Sequence, residues 1–221
     1  MIRVMTRTLG ASPTPASVQT VVRRIRPDLL LLPDQPSRLQ LRRCLSGTDL
    51  RPLSRQGRGR AGSVVCGDSG VRLVTAAELT LPGPAEGAER VASHAIVSVR
   101  GRTLSVMAFR LGTDPEARLT DAQLVASFLD RVEHPAVVGA DLAEGPTGPI
   151  ADALLGERID AWTVGGVGTG FTYPTPEPIA RHDVVLVDAG LPIASAHVET
   201  GAPVDVAGRH RPVVVEIEEG S

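Results

Sequence analysis

Short apolar runs, spaced by about ten residues and separated by turn-forming residues, constrain this chain most. They fall at 63–66, 71–75, 78–81, 94–99 and 103–109. This spacing predicts paired strands and β-sandwich character. A second kind of run is apolar without interruption. Residues 28–32, between Pro27 and Pro33, predict a buried strand, as do residues 136–140, with Asp141 at the strand end.

The remaining segments complete an α+β pattern. A first strand is expected over 1–9, and further strands over 183–187, 195–198 and 213–217. Amphipathic helices are expected over 17–25, ending before Pro27, and over 37–45. The best helical periodicity runs over 121–132, where Ala122, Leu124, Val125, Phe128, Leu129 and Val132 share a face and Thr120 is placed to cap. A short helix follows Pro149 over 150–155, and 165–178 is a Gly/Pro/Thr loop. Strands alternating with a few helices fit a two-sheet sandwich with helices outside. No repeat or interdomain linker is visible, so residues 1–221 are read as one domain.

Composition narrows the function. The formal net charge is −2 and aromatics are only 2% of the chain. A basic DNA-binding footprint and stacking platforms for unpaired bases are both missing, which makes duplex DNA a poor expectation as partner. Every Lys/Arg cation is arginine. Arginine grips carboxylates and phosphates bidentately. The basic stretch 51–60 is read as a solvated loop and is the one plausible contact for a phosphate backbone. Cys44 and Cys66 fit no zinc or redox spacing. No secretory signal pattern and no membrane-spanning apolar stretch is seen, so a cytoplasmic protein with reduced thiols is expected.

Several segments in order carry a resemblance. They are Met5-Thr6-Arg7-Thr8-Leu9-Gly10, then Pro27-Asp28 with four leucines to Pro33-Asp34, then Ala108-Phe109-Arg110-Leu111-Gly112. They continue with Ala140-Asp141-Leu142-Ala143, Gly170-Phe171-Thr172-Tyr173-Pro174 and Arg181-His182-Asp183-Val184. The chain then reaches Gly208-Arg209-His210-Arg211-Pro212 before its last strand. Nearly the whole chain thus resembles the endonuclease/exonuclease/phosphatase superfamily, the DNase-I-like metal-dependent phosphoesterases. The resemblance implies a four-layer α/β/β/α sandwich of two mixed or antiparallel sheets flanked by helices.

The resemblance also implies site residues. Asp141, Asp183 and His210 match catalytic positions, and Asp34 stands at the metal-binding glutamate position, one methylene shorter. The departures are Thr8 for Asn, Arg110 for His, Ala143 for Asn and Arg209 for Asp. Mg²⁺ takes hard oxygen ligands. Here Asp34, Asp141 and Asp183 face Arg110 and Arg209, leaving one net negative charge, which an inward Arg7 would cancel. A guanidinium about 4 Å from a metal position opposes Mg²⁺ by several kcal/mol at an effective dielectric of about 20. The arginines are expected instead to pair with the aspartates.

The expectation is therefore a degenerate member, a pseudoenzyme for standard Mg²⁺-dependent hydrolysis, with no cofactor. Arg110, Arg209, Arg7 and Thr8 would form an anion pocket for a small phosphate-containing or other anionic ligand, or the cleft would meet a protein partner. Two alternatives stay open: an active phosphodiesterase or phosphatase with a rebuilt, Arg-containing site and Mg²⁺ or Mn²⁺, and a small-molecule biosynthetic enzyme using Asp/His acid–base chemistry. Each survivor also has a structural reading: Asp141 capping a turn, Asp183 paired with Arg181 or Arg209, His210 at the core edge. His94, His134, His182 and His197 are read as surface or structural.

Overall fold

In the computed structural model the described residues are 1–10, 12–54, 61–82 and 90–219. The chain runs β1 (Ile2–Thr6), α1 (Pro15–Ile25), β2 (Leu29–Leu32), α2 (Arg38–Leu45), β3 (Arg51–Pro52), β4 (Ala61–Gly62), β5 (Val64–Gly67), β6 (Arg72–Leu81) and β7 (Arg90–Val99). It continues with β8 (Arg102–Arg110), α3 (Pro115–Leu129), β9 (Ala136–Asp141), α4 (Pro149–Leu155), β10 (Arg158–Asp160) and α5 (Ala161–Gly165). It closes with β11 (Asp183–Asp188), β12 (Ile193–Val198), α6 (Val204–Ala207) and β13 (Val213–Ile217).

The strands form two mixed sheets. One is ordered β12-β13-β1-β2-β5-β3; the other is β10-β11-β9-β8-β7, with β6 antiparallel along β7 and β4 parallel to the start of β7. Alternation along the strands explains the layering. Leu29 and Leu31 of β2 enter the core between the sheets with Val4, Val106, Val137 and Val185. Leu30 and Leu32 point the other way, packing with Val18, Val21 and Leu41 of α1 and α2. The second sheet repeats this: Met107, Phe109 and Val138 pack outward on Val125 and Leu129 of α3 and Leu154 of α4. Unbroken apolar runs are thus strands covered on both faces, where each fully buried Leu contributes roughly 1.5–3 kcal/mol. The result is the expected α/β/β/α sandwich. Gly139 lies where the sheets pinch: a Cβ there would come 2.7 Å from Leu31 Cβ and Thr6 Oγ1.

Some local expectations needed correction. The segments 71–75 and 78–81 form one ten-residue strand, β6, with a register shift between Leu73 and Thr75. Helix α3 begins at Pro115, not near Asp121. Proline suits the first helical position, and Asp114 Oδ1 accepts from Ala117 N at 2.8 Å. Thr120 caps nothing; it lies inside the helix and its hydroxyl donates to Glu116 O. In α2, by contrast, Ser37 and Gln40 form a capping box. Residues 55–60 of the basic stretch lie outside the described residues, and Arg51 belongs to β3. Among the described residues no helix is long and apolar enough to cross a membrane.

Candidate active site

Topology gathers the site at one end of the sandwich. The register pairs Arg110 with Asp141 across β8 and β9, and Asp141 with Asp183 across β9 and β11. In the facing sheet β1 runs out into Arg7 and Thr8, and His210 precedes β13. Beyond the ladder His210 N donates to Thr8 O at 3.2 Å. Asp34 follows β2, which runs parallel to β1.

The centre of the site is buried. Asp141 and Asp183 are 1% and 0% exposed, and His210 is 2% exposed. His210 Nδ1 lies 2.7 Å from Asp183 Oδ2. Asp183 Oδ1 faces Thr8 Oγ1 at 3.1 Å, and Asp141 Oδ2 faces the same hydroxyl at 3.3 Å. A hydroxyl has one proton to donate, so it satisfies only one of the two carboxylates at a time. Burial, and then the Asp183 charge, push the Asp141 carboxyl above its ordinary value. Asp141 Oδ1 accepts from Ala143 N at 3.0 Å, so it does close a turn. That turn holds Ala143 at φ 57°, a left-handed conformation that asparagine adopts more readily than alanine.

Arg110 fulfils the salt-bridge expectation. Its Nη1 donates to Asp34 Oδ2 at 3.0 Å, while its Nε lies 3.1 Å from Asp141 Oδ2 as an ion pair without hydrogen-bond alignment. Arg209 does not fulfil it. It is exposed, and its guanidinium lies 5.5 Å from the centre of the Tyr173 ring rather than on an aspartate. Arg181 binds Asp160 at 2.7 Å, so Asp183 takes His210 as partner and neither arginine. Arg7 points inward and is fully buried, and Nη2 donates to Val204 O at 2.7 Å. Burial lowers its pKa to about 10, against the opposing pull of Asp183 and Asp205. It lies behind the site as a buried charge.

His182, read as surface or structural, is half-buried beside Asp141 and His210. The ring stacks on Tyr173 at 4.7 Å between centroids, and one donor atom each from Asp141, His182 and His210 lie within 4.8 Å of one another. Burial, then His210, lower its pKa, favouring neutral imidazole. Spacing could not reveal this. His182 precedes β11 and His210 precedes β13, in different sheets, and only the closed sandwich brings them together. The other structural readings stand better: His94 Nε2 meets Ser105 Oγ at 2.9 Å beneath Phe128, and exposed His197 lies 3.7 Å from Glu199.

The positions to which the resemblance assigns an oxygen cage for Mg²⁺ are in part occupied or without a donor atom. Asp34 is bonded to a guanidinium, Thr8 offers one hydroxyl, and Ala143 has no side-chain donor atom. Beside Arg110 opens a cavity of about 220 Å³, lined by Asp34, Arg90, Gly112 and Thr113 among others.

No family model matches the sequence, and neither does any curated protein. Solved structures do. A mannosyl-6-phosphatase of Bacteroides thetaiotaomicron superposes with a TM-score of 0.85 at 14% identity, over 99% of this chain and 100% of that one. An endonuclease/exonuclease/phosphatase of Bacteroides vulgatus gives 0.81 at 15% identity over 99% of both chains. TDP2 of D. rerio, complexed with a single-strand DNA product, gives 0.77 at 12% identity, also over 99% of both. Likeness at this identity concerns architecture, and it agrees with the layers and strand ends described above: the chain has the DNase-I-like fold of the endonuclease/exonuclease/phosphatase proteins.

Proposed function

We propose that this protein is a diverged member of the endonuclease/exonuclease/phosphatase superfamily that has lost standard Mg²⁺-dependent phosphoester hydrolysis and recognises a small phosphate-containing or similar anion in its cleft. The observation that carries this reading is Arg110, whose guanidinium spans Asp34 and Asp141 at 3.0 and 3.1 Å. A fixed cation there opposes a divalent ion at the same carboxylates, and its guanidinium fork suits phosphate oxygens once it turns to them. Arg90 and Arg110 both line the adjoining cavity, although Arg90 also pairs with Asp121. The ligand class follows from the guanidinium chemistry. The net charge and scarce aromatics continue to argue against duplex DNA. We take the protein to be cytoplasmic; Cys44 and Cys66 are buried and free, as a reducing compartment requires.

The deciding assay offers a phosphodiester and phosphomonoesters, mannose 6-phosphate included, with Mg²⁺ or Mn²⁺. No turnover is expected. Turnover that His210→Ala abolishes would overturn the proposal. Restoring superfamily residues together (Arg110→His, Ala143→Asn, Arg209→Asp) should then create measurable activity.

One observation favours a second reading, an active phosphoesterase with a rebuilt site. The Asp183–His210 pair is intact at 2.7 Å, and its buried carboxylate orients the imidazole as a general acid or base requires. This reading needs Mg²⁺ or Mn²⁺ at Asp34 and requires Arg110 to leave that carboxylate for substrate. The same assay separates the two.

A further inference from the structure

We propose that Asp141, His182 and His210 form a binding site for a borderline divalent transition metal, Zn²⁺ above all. It is distinct in ligand set and in metal class from an oxygen cage at Asp34. A suitable donor atom from each of the three residues lies within 4.8 Å of the other two. Donors about 2.0–2.1 Å from a tetrahedral Zn²⁺ lie about 3.4 Å apart, so each needs to move by roughly an ångström or less.

Every ligand is already oriented by a neighbour. His210 Nδ1 is held at 2.7 Å by Asp183, which leaves Nε2 to coordinate. A carboxylate behind a ligating imidazole fixes its tautomer and raises its basicity. His182 is stacked on Tyr173, which also lies 4.8 Å from the His210 ring. Asp141 Oδ1 is tied to Ala143 N at 3.0 Å, while Oδ2 faces inward toward Thr8.

Chemistry selects the metal. Two imidazoles and one carboxylate suit Zn²⁺, Co²⁺, Ni²⁺ or Fe²⁺, whereas Mg²⁺ and Ca²⁺ favour oxygen alone. Three protein ligands leave a position open for water or an anion. Arg110 is the built-in competitor, with Nε 3.1 Å from Asp141 Oδ2. The inference does not depend on whether the site hydrolyses phosphoesters; a protein without turnover can still bind the ion.

The test titrates the folded full chain with Co²⁺, read by its visible d–d absorption, and then displaces it with Zn²⁺. Stoichiometric binding is expected, with excess Mg²⁺ unable to compete. His182→Ala should weaken it by about 100-fold or more, beyond the 10–100-fold typical of outer-shell changes. His197→Ala, an exposed histidine elsewhere, should leave it unchanged. Arg110→Gln should tighten it. Absence of stoichiometric binding to the wild-type protein overturns the proposal, and so does undiminished affinity in His182→Ala. Should that variant not fold, His182→Gln repeats the measurement, and equal affinity there is equally fatal.

Discussion

Carboxylates meet guanidinium groups at both ends of the sandwich, under opposite conditions. At the end away from the site, Asp28 Oδ1 accepts from Arg100 Nε and Nη2 at 3.1 and 2.9 Å, and its Oδ2 accepts from Arg3 N at 2.7 Å. Glu216 is gripped by Arg3 Nε and Nη2 at 3.0 and 2.7 Å, and those hydrogen bonds hold its carboxyl below the ordinary value. At the site end Asp141 and Asp183 face each other across the ladder, Arg110 is the cation paired with Asp141, and the Asp141 carboxyl is pushed up. The larger cavity, about 420 Å³, lies at the well-neutralised end, lined by Arg3, Arg26, Asp28 and Arg100 among others. The proposed site therefore rests on buried charge left short of partners, a strain that persists where it serves something other than stability, and not on cavity size.

Asp28→Ala should give the largest effect on stability. It strands the Arg3 N–H and removes the nearer carboxylate partner of the half-exposed Arg100, leaving Glu219 at 3.6 Å. Losing hydrogen bonds to a buried charged group costs about 2–3 kcal/mol. Urea unfolding should show a lower midpoint with an unchanged slope. A neutral result would erase the contrast, because Asp28 would then be no better satisfied than Asp141.

The sequence revealed one end of the molecule better than the other. Apolar runs and their spacing gave the sheets, since burial on one or two faces writes its period directly into the chain. The strand ends carrying Asp141 and Asp183 were legible for the same reason. Helix α3 was placed too late because Pro115 and Asp114 precede the apolar stripe and set its start. The partners of charged groups were not legible. Arg110 and Arg209 looked equivalent, yet one reaches two aspartates and the other stacks on Tyr173. His182 looked isolated because its neighbours come from β9 and from the segment before β13. Side-chain pairing is decided in three dimensions, where strand register and loop closure bring distant positions within a few ångströms.

Asp141→Asn should sharpen the contrast with the opposite sign. A carboxyl whose folded pKa is raised is penalised when ionised, so the folded state holds its proton more tightly than the unfolded chain does. The penalty is in full force above the folded value and disappears below the ordinary value of 3.8. The neutral amide escapes it. At pH 7 the variant should be more stable than wild type by about 1 kcal/mol, the scale of a single stabilising substitution. The gap should close as pH falls through the raised folded value toward 3.8. Melts of both proteins from pH 7 down to the acid range read this directly. A variant less stable than wild type at pH 7 would mean that Arg110 and Ala143 N compensate Asp141 fully.

The smallest effect belongs to the Arg3–Glu216 pair. Two Arg3 nitrogens donate to one oxygen, Glu216 Oε1, but the side chains are 40% and 25% exposed, so water and salt screen the pair. A double-mutant cycle on Arg3→Ala and Glu216→Ala should give a coupling of about 0.2–1 kcal/mol, the range of exposed pairs. Raising salt from about 0.1 M to 1 M shortens the screening length from about 10 Å to 3 Å and should shrink the coupling further. Its pH dependence runs against that of Asp141. A carboxyl with a lowered folded pKa contributes stability above its ordinary value of 4.5 and loses it as pH falls through the folded value. Acidification should therefore weaken the far end while it relieves the site end. If instead the coupling is large and indifferent to salt, the far-end network is as shielded from solvent as the site, and partner shortage alone would have to distinguish the two ends.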